Sequence, residues 1–142
     1  MAGQTQPNLQ PVLAELIDAW NAHDAVRVAS YYDPDYVGID AAEAGQQRGP
    51  AGVRQTVQRY LNAFPDLTLA QEQAVLCDNH AAIELTVRGT HLGSLMHIPP
   101  TGRPAHIQGV AFLTFEEARI IQASYLWDIA GFLRNIGLLP DL

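Results

Sequence analysis

Apolar residues recur at helical spacing through the first half of the chain and at alternate positions through the second. After Pro11, the residues Val12, Leu13, Leu16, Ile17 and Trp20 fall three and four apart, which predicts a helix with one buried face and a proline in its first turn. Residues 21–24 interrupt that pattern, and Asp24 is placed to cap a second short helix carrying Val26, Val28 and Ala29 into Tyr31 and Tyr32. The Asp33-Pro34-Asp35 step ends it, because the residue before proline resists the helical conformation. A short β-rich run over residues 36–40 and a glycine-containing turn lead into a third helix, with Val53, Val57, Tyr60, Leu61 and Phe64 on one face and Pro65 at its end.

Beyond Leu67 the period changes to two. Residues 67–76 and 81–91 read as strands joined by a turn at Asp78 and Asn79. In the second strand Ile83, Leu85 and Val87 share a face with His91, and Glu84, Thr86 and Arg88 take the other. Residues 106–115 are apolar on both faces, as in a strand covered on both sides. Residues 120–128 form the last long strand, with Ile120, Gln122, Ser124, Leu126 and Asp128 on one face and Tyr125 and Trp127 on the other. Helices followed by a run of strands give an α+β fold, a curved antiparallel sheet against a helical layer. Residues 1–10 read as a flexible N-terminus and residues 11–142 as one domain, without repeats or linkers.

Composition narrows the function classes. With 48% hydrophobic and 16% charged residues in 142, the chain is an ordinary globule whose low charge is consistent with a covered face, and a homodimer is expected. A net charge of -7, with eight basic residues scattered singly, argues against nucleic acid as a partner. The single Cys77 has no partner for an internal disulfide, and no Cys/His cluster points to a metal. Neither a secretory leader nor a membrane-length apolar run is visible, so a cytoplasmic location and no membrane partner are expected.

One carboxylate stands out. Asp128 ends an apolar strand and precedes another apolar run, and a bare carboxylate enclosed there would cost several kcal/mol unless paired, protonated or used. It has two readings: an acid/base in an oily pocket, with a pKa raised by desolvation, or the cap of a helix beginning at Ile129.

Three local motifs stand in order along the chain: Ala63-Phe-Pro-Asp66, then Gly89-Thr-His-Leu-Gly93 followed by Ile98-Pro-Pro-Thr-Gly-Arg103, and Asp128-Ile-Ala-Gly-Phe-Leu-Arg-Asn-Ile-Gly137. Over about residues 12 to 140 the chain thereby resembles the SnoaL-like polyketide cyclases of the nuclear-transport-factor-2-like superfamily. The resemblance implies a cone-shaped α+β barrel with an apolar pocket, generally dimeric. It also implies ring closure by intramolecular aldol condensation without metal or cofactor, with the aspartate matching Asp128 as acid/base. Relatives on this fold open epoxides, isomerise or dehydrate, so fold alone fixes no reaction. Two positions depart from the family pattern and alter the pocket lining: Asp40, where many members have His or Asn, and Ser124, where many have Trp.

The candidate catalytic residues are therefore Asp128 and His91, the latter a possible orienting group by strand parity. Trp20, Tyr32, Asp40, Tyr60, Phe64, His106, Gln108, Phe112 and Ser124 are candidates for substrate contact, several of them doubling as core. The leading expectation is a cofactor-free cyclase, or related lyase or isomerase, acting on a hydrophobic polyketide-like small molecule. A second is epoxide hydrolysis or epoxide-opening cyclisation shared by Asp40 and Asp128. A third is a non-catalytic binding module that keeps the pocket alone.

Overall fold

In the computed structural model, residues 8–141 are described. The N-terminal stretch expected to be flexible lies outside them apart from residues 8–10, of which Leu9 is buried and Gln10 opens the first helix. Helix α1 (Gln10–Asn21) has Pro11 in its first turn and buries Leu13, Leu16 and Ala19. Helix α2 (Ala25–Ala29) is capped by Asp24, whose carboxylate accepts from the Arg27 N–H at 3.0 Å. Helix α3 (Gly49–Ala63) buries Val53, Val57 and Ala63 and stops ahead of Pro65.

Six strands form one sheet in the order β2-β1-β6-β5-β4-β3. They are β1 (Tyr32–Asp40), β2 (Gln46–Arg48), β3 (Thr68–Cys77), β4 (His80–Thr90), β5 (Pro104–Glu116) and β6 (Arg119–Trp127). Helix α4 (Ile129–Asn135) follows the last strand. The architecture is the expected α+β one, helices against a curved sheet, with one difference in pairing. Strand β1 runs parallel to β6, so the sheet is mixed. Register shifts between Tyr32 and Val37, Gln71 and Gln73, and Thr114 and Phe115 bend the sheet as bulges do.

The second-helix reading ran too far, because Tyr32 already opens β1. The segment read as a glycine turn contains β2, paired to β1 through Val37–Arg48, Gly38–Gln47 and Ile39–Gln46. Strand β5 is not covered on both sides. Its odd-numbered residues from Ala105 to Phe115 are buried and its even-numbered ones face outward, with Phe112 50% exposed. The core therefore lies between the helices and the concave face of the sheet, where Ile83, Leu85, Val87, Ala111 and Leu113 meet Leu13, Leu16, Val53 and Val57.

A smaller aromatic cluster locks the end of β4 to α4. His91 is 0% exposed, with its ring centroid 5.9 Å from Phe64 and 5.7 Å from Phe132. Its Nδ1 accepts from the Thr101 N–H at 3.3 Å and meets the Thr101 hydroxyl at 3.0 Å. Burial lowers the His91 pKa below the ordinary imidazole value. The unfolded chain takes up that proton near pH 6.5 and the folded chain resists it, so stability is full above that pH and declines as the pH falls below it. The melting temperature is expected to drop between pH 7.5 and 5, and to drop less in His91→Phe; equal pH slopes by differential scanning fluorimetry would show that His91 is not the group responsible.

Candidate functional site

The concave face of the sheet does not close fully against the helices. A mostly apolar cavity of about 80 Å³ remains, walled by α1, α3 and the inner faces of β1, β4, β5 and β6. Asp40, at the end of β1, is its only carboxylate among the described lining residues.

Two glycines leave room for aromatic side chains beside the chamber, and one of these side chains reaches Asp40. Strand β6 pairs Trp127 with Gly109 of β5, and the indole lies over the glycine where a Cβ would collide with it. So seated, Trp127 donates from Nε1 to Asp40 Oδ2 at 3.1 Å. Asp40 Oδ1 accepts from the Ala42 N–H at 2.8 Å. On β1 the Tyr36 ring covers Gly38, again in space that a side chain would fill, and its hydroxyl donates to Gln47 Oε1 at 2.8 Å. Gln47 in turn donates from Nε2 to the Thr56 hydroxyl at 2.6 Å, so its amide is fixed at both ends between β2 and α3.

The polar groups of the chamber are partly shielded from water. Tyr32 and Tyr125 share a hydroxyl–hydroxyl hydrogen bond of 3.2 Å, and Tyr125 stacks on Trp127 with ring centroids 6.5 Å apart. Burial holds the Tyr32, Tyr125, Tyr36 and Tyr60 phenols above their ordinary range, so all four stay protonated donors at neutral pH. Desolvation also raises the Asp40 carboxyl above the usual range, against the opposing pull of the Ala42 N–H, the Trp127 indole and Arg59. Tyr60 feels the charge of Asp40, and its hydroxyl has no hydrogen-bond partner among the described residues. Arg59 crosses from α3 to the β1–β2 loop and pairs with Glu43 at 3.0 Å near the mouth.

The structure brings together four of the expected residues, Trp20, Tyr32, Asp40 and Tyr60. The enclosure expected for Asp128 does not occur. Asp128 is exposed, and its Oδ1 accepts from the Gly131 N–H at 2.9 Å as the cap of α4. The cause is strand alternation: the shift between Thr114 and Phe115 leaves Ile121 unpaired, after which Ala123, Tyr125 and Trp127 turn inward and Gln122, Ser124 and Leu126 outward. The same alternation puts Ser124 outside, and on β5 it puts His106, Gln108 and Phe112 outside with it. His91 and Phe64 lie in the separate aromatic cluster, off the cavity wall. Asp40 and Asp128 are thus not assembled as a pair.

Tyr125, Trp127, Gln47 and Thr56 complete the chamber and were not among the expected site residues. A signal for the first two existed: two aromatic residues alternating with Gln122, Ser124 and Leu126 mark their own face as the inner one. Thr56 also sits on the buried stripe of α3, between Val53 and Tyr60.

Comparison with known proteins agrees with this architecture. Among solved structures, AclR of Streptomyces galilaeus, a proposed hydroxylase, is 26% identical with a TM-score of 0.82, over 94% of this chain and 87% of that one. IdmH of Streptomyces antibioticus, a proposed polyketide cyclase, is 25% identical with a TM-score of 0.80, over 92% of this chain and 99% of that one. TsrD of Streptomyces laurentii, at 23% identity, shares the fold with a TM-score of 0.83 over 92% and 96% of the two chains. No curated protein sequence is detectably similar. Residues 10–136 match the SnoaL-like polyketide cyclases, and the chain belongs to that family.

Proposed function

We propose that the protein is an enzyme that moves a proton on a carbonyl-bearing, largely apolar small molecule, closing a ring by aldol chemistry or isomerising it, with Asp40 as the acid/base. The family supports a cyclase or isomerase type of activity. The observation that carries the assignment to Asp40 is its position as the one carboxylate in the chamber wall among the described residues, desolvated yet anchored by Trp127 and Ala42.

Each Asp40 oxygen spends one lone pair on its protein donor and keeps another for the substrate. Asp40 takes a proton from the carbon beside a carbonyl, and the electron pair moves to the oxygen, which the unpartnered Tyr60 hydroxyl can receive as an enolate. In the cyclase case the enolate carbon attacks a second carbonyl of the same molecule. The new alkoxide then takes back the proton held by Asp40, so that a C–C bond and an O–H bond have replaced a C–H bond and the π bond of the attacked carbonyl. A raised carboxyl pKa makes Asp40 a stronger base than a solvated aspartate. Metal and cofactor have no part in this sequence of steps. Asp128 serves as a helix cap, so the paired-carboxylate epoxide route has less support than the single-carboxylate one.

The outer face of the sheet supports a homodimer. Phe112 and Leu126, 50% and 53% exposed, lie on it with Val110, which is directly opposite Leu126. The exposed free thiol of Cys77 suits a reducing cytoplasm.

Two outcomes are expected. Cyclohexanone presents a carbonyl with α-hydrogens on a small apolar ring, and its α-hydrogen exchange with deuterated water, followed by NMR, should be accelerated by the protein. Asp40→Asn should lower that rate at least about 100-fold, the usual size of a general-base contribution. Asp128→Asn should change it less than threefold. The wild-type rate should fall as the pH drops through the raised Asp40 pKa, since only the carboxylate acts as base. Loss of activity in Asp128→Asn with retention in Asp40→Asn would reverse the assignment. Separately, sedimentation velocity should find a dimer that Phe112→Glu with Leu126→Glu converts to a folded monomer; an unchanged dimer would place the interface elsewhere.

A further inference from the structure

The chamber is too small for the whole of a polyketide-sized molecule, and ligand pockets for such compounds run to several hundred Å³. Directly outside Asp40, an open groove of about 560 Å³ runs between the β1–β2 hairpin and α3. Asp40, Gln47, Thr56 and Tyr125 border both spaces. Gln47 is tied to Tyr36 and Thr56, so it forms a fixed side of the junction at which the two spaces meet. A molecule too long for the chamber that reacts at Asp40 would leave its remainder in the groove.

The two spaces differ in chemistry. The chamber wall is mostly aliphatic and aromatic, whereas the groove is bordered by the amides of Gln46, Gln47 and Gln55 together with Arg48 and Arg59. Its charges balance. Arg59 is paired with Glu43, and Arg48 with Asp40 leaves the border without net charge. Arg48 already donates to Gln46 Oε1 at 2.6 Å. Gln55 is exposed on the groove side of α3, and its amide has no hydrogen-bond partner among the described residues. Amides with both donor and acceptor capacity and no net charge match hydroxyls and carbonyls better than carboxylates or phosphates.

We infer that the groove is the second half of the binding site: it takes an uncharged, oxygen-rich portion of the substrate, while the chamber takes a compact apolar head. The inference rests on the reading of Asp40 as the reacting group. The substrate class it names is amphipathic, a compact apolar ring or short chain joined to a polyhydroxyl or polycarbonyl extension. The reacting carbon lies at the junction.

Three probes sharing one ring test this by NMR titration of the full chain: phenol, phenyl β-D-glucopyranoside and phenyl phosphate. All three should move the Trp127 indole N–H signal, and only the glucoside should also move the Gln55 side-chain amide. The glucoside should bind at least about tenfold tighter than phenol, and phenyl phosphate no tighter than phenol. Gln55→Leu should weaken the glucoside about fivefold and leave phenol within twofold. If glucoside and phenol bind equally while Trp127 still responds, the groove assignment is overturned and the chamber reading stands. Tighter binding of phenyl phosphate than of the glucoside would overturn the uncharged class. If no probe moves the Trp127 signal, the chamber itself takes no ring and both readings fall.

Discussion

The register of β6 against β5 governs the site. In a strand, neighbouring side chains point to opposite faces, so a single unpaired residue reverses everything after it. Here that residue is Ile121. Beyond it Tyr125 and Trp127 face the helices and the next residue, Asp128, faces water and caps α4. The parallel pairing of β1 with β6 then sets Asp40 beside Tyr125, so that the indole of Trp127 can reach its carboxylate. Changing the register by one residue would turn Asp128 toward the cavity and Trp127 away from Asp40.

Energetically, Asp40 is held in balance. Removal of water favours its neutral form, and the two N–H donors together with the nearby Arg59 favour the charged one. Desolvation prevails, which leaves a base stronger than a solvated carboxylate yet fixed in direction by two hydrogen bonds. A carboxylate without those donors would be penalised far more in an apolar wall. The tyrosines around it remain protonated for the same reason, and the chamber therefore combines one proton acceptor with several proton donors.

Much of the fold was legible in the sequence. Helical spacing at Leu13, Leu16, Val53 and Val57 and alternation at Ile83, Leu85 and Val87 marked the two layers and the faces they bury. The Asp24 cap was readable from residue type alone. What escaped was long-range: the parallel β1–β6 pair, the short β2, and the bulge that separates Ile120 from the alternation after it. These depend on partners distant in sequence, and nothing local specifies them. The same gap explains the site. Asp128 was prominent because its neighbours are apolar, but those neighbours face a different way. Asp40 stood out only as an unusual residue at a strand end, and its importance comes from Trp127, which local pattern does not connect to it.

That last separation has a kinetic side. Asp40 and Trp127 are 87 residues apart, and they meet only when the first strand docks on the sixth. Contacts so remote in sequence carry a larger loop-closure entropy than local hairpins do. Hairpins such as β3–β4 and β4–β5 can form early, but an intermediate built from them has no chamber and no anchored carboxylate. The carboxylate thus acquires its indole partner only once the first strand has joined the sheet, so a partly folded chain has no such site.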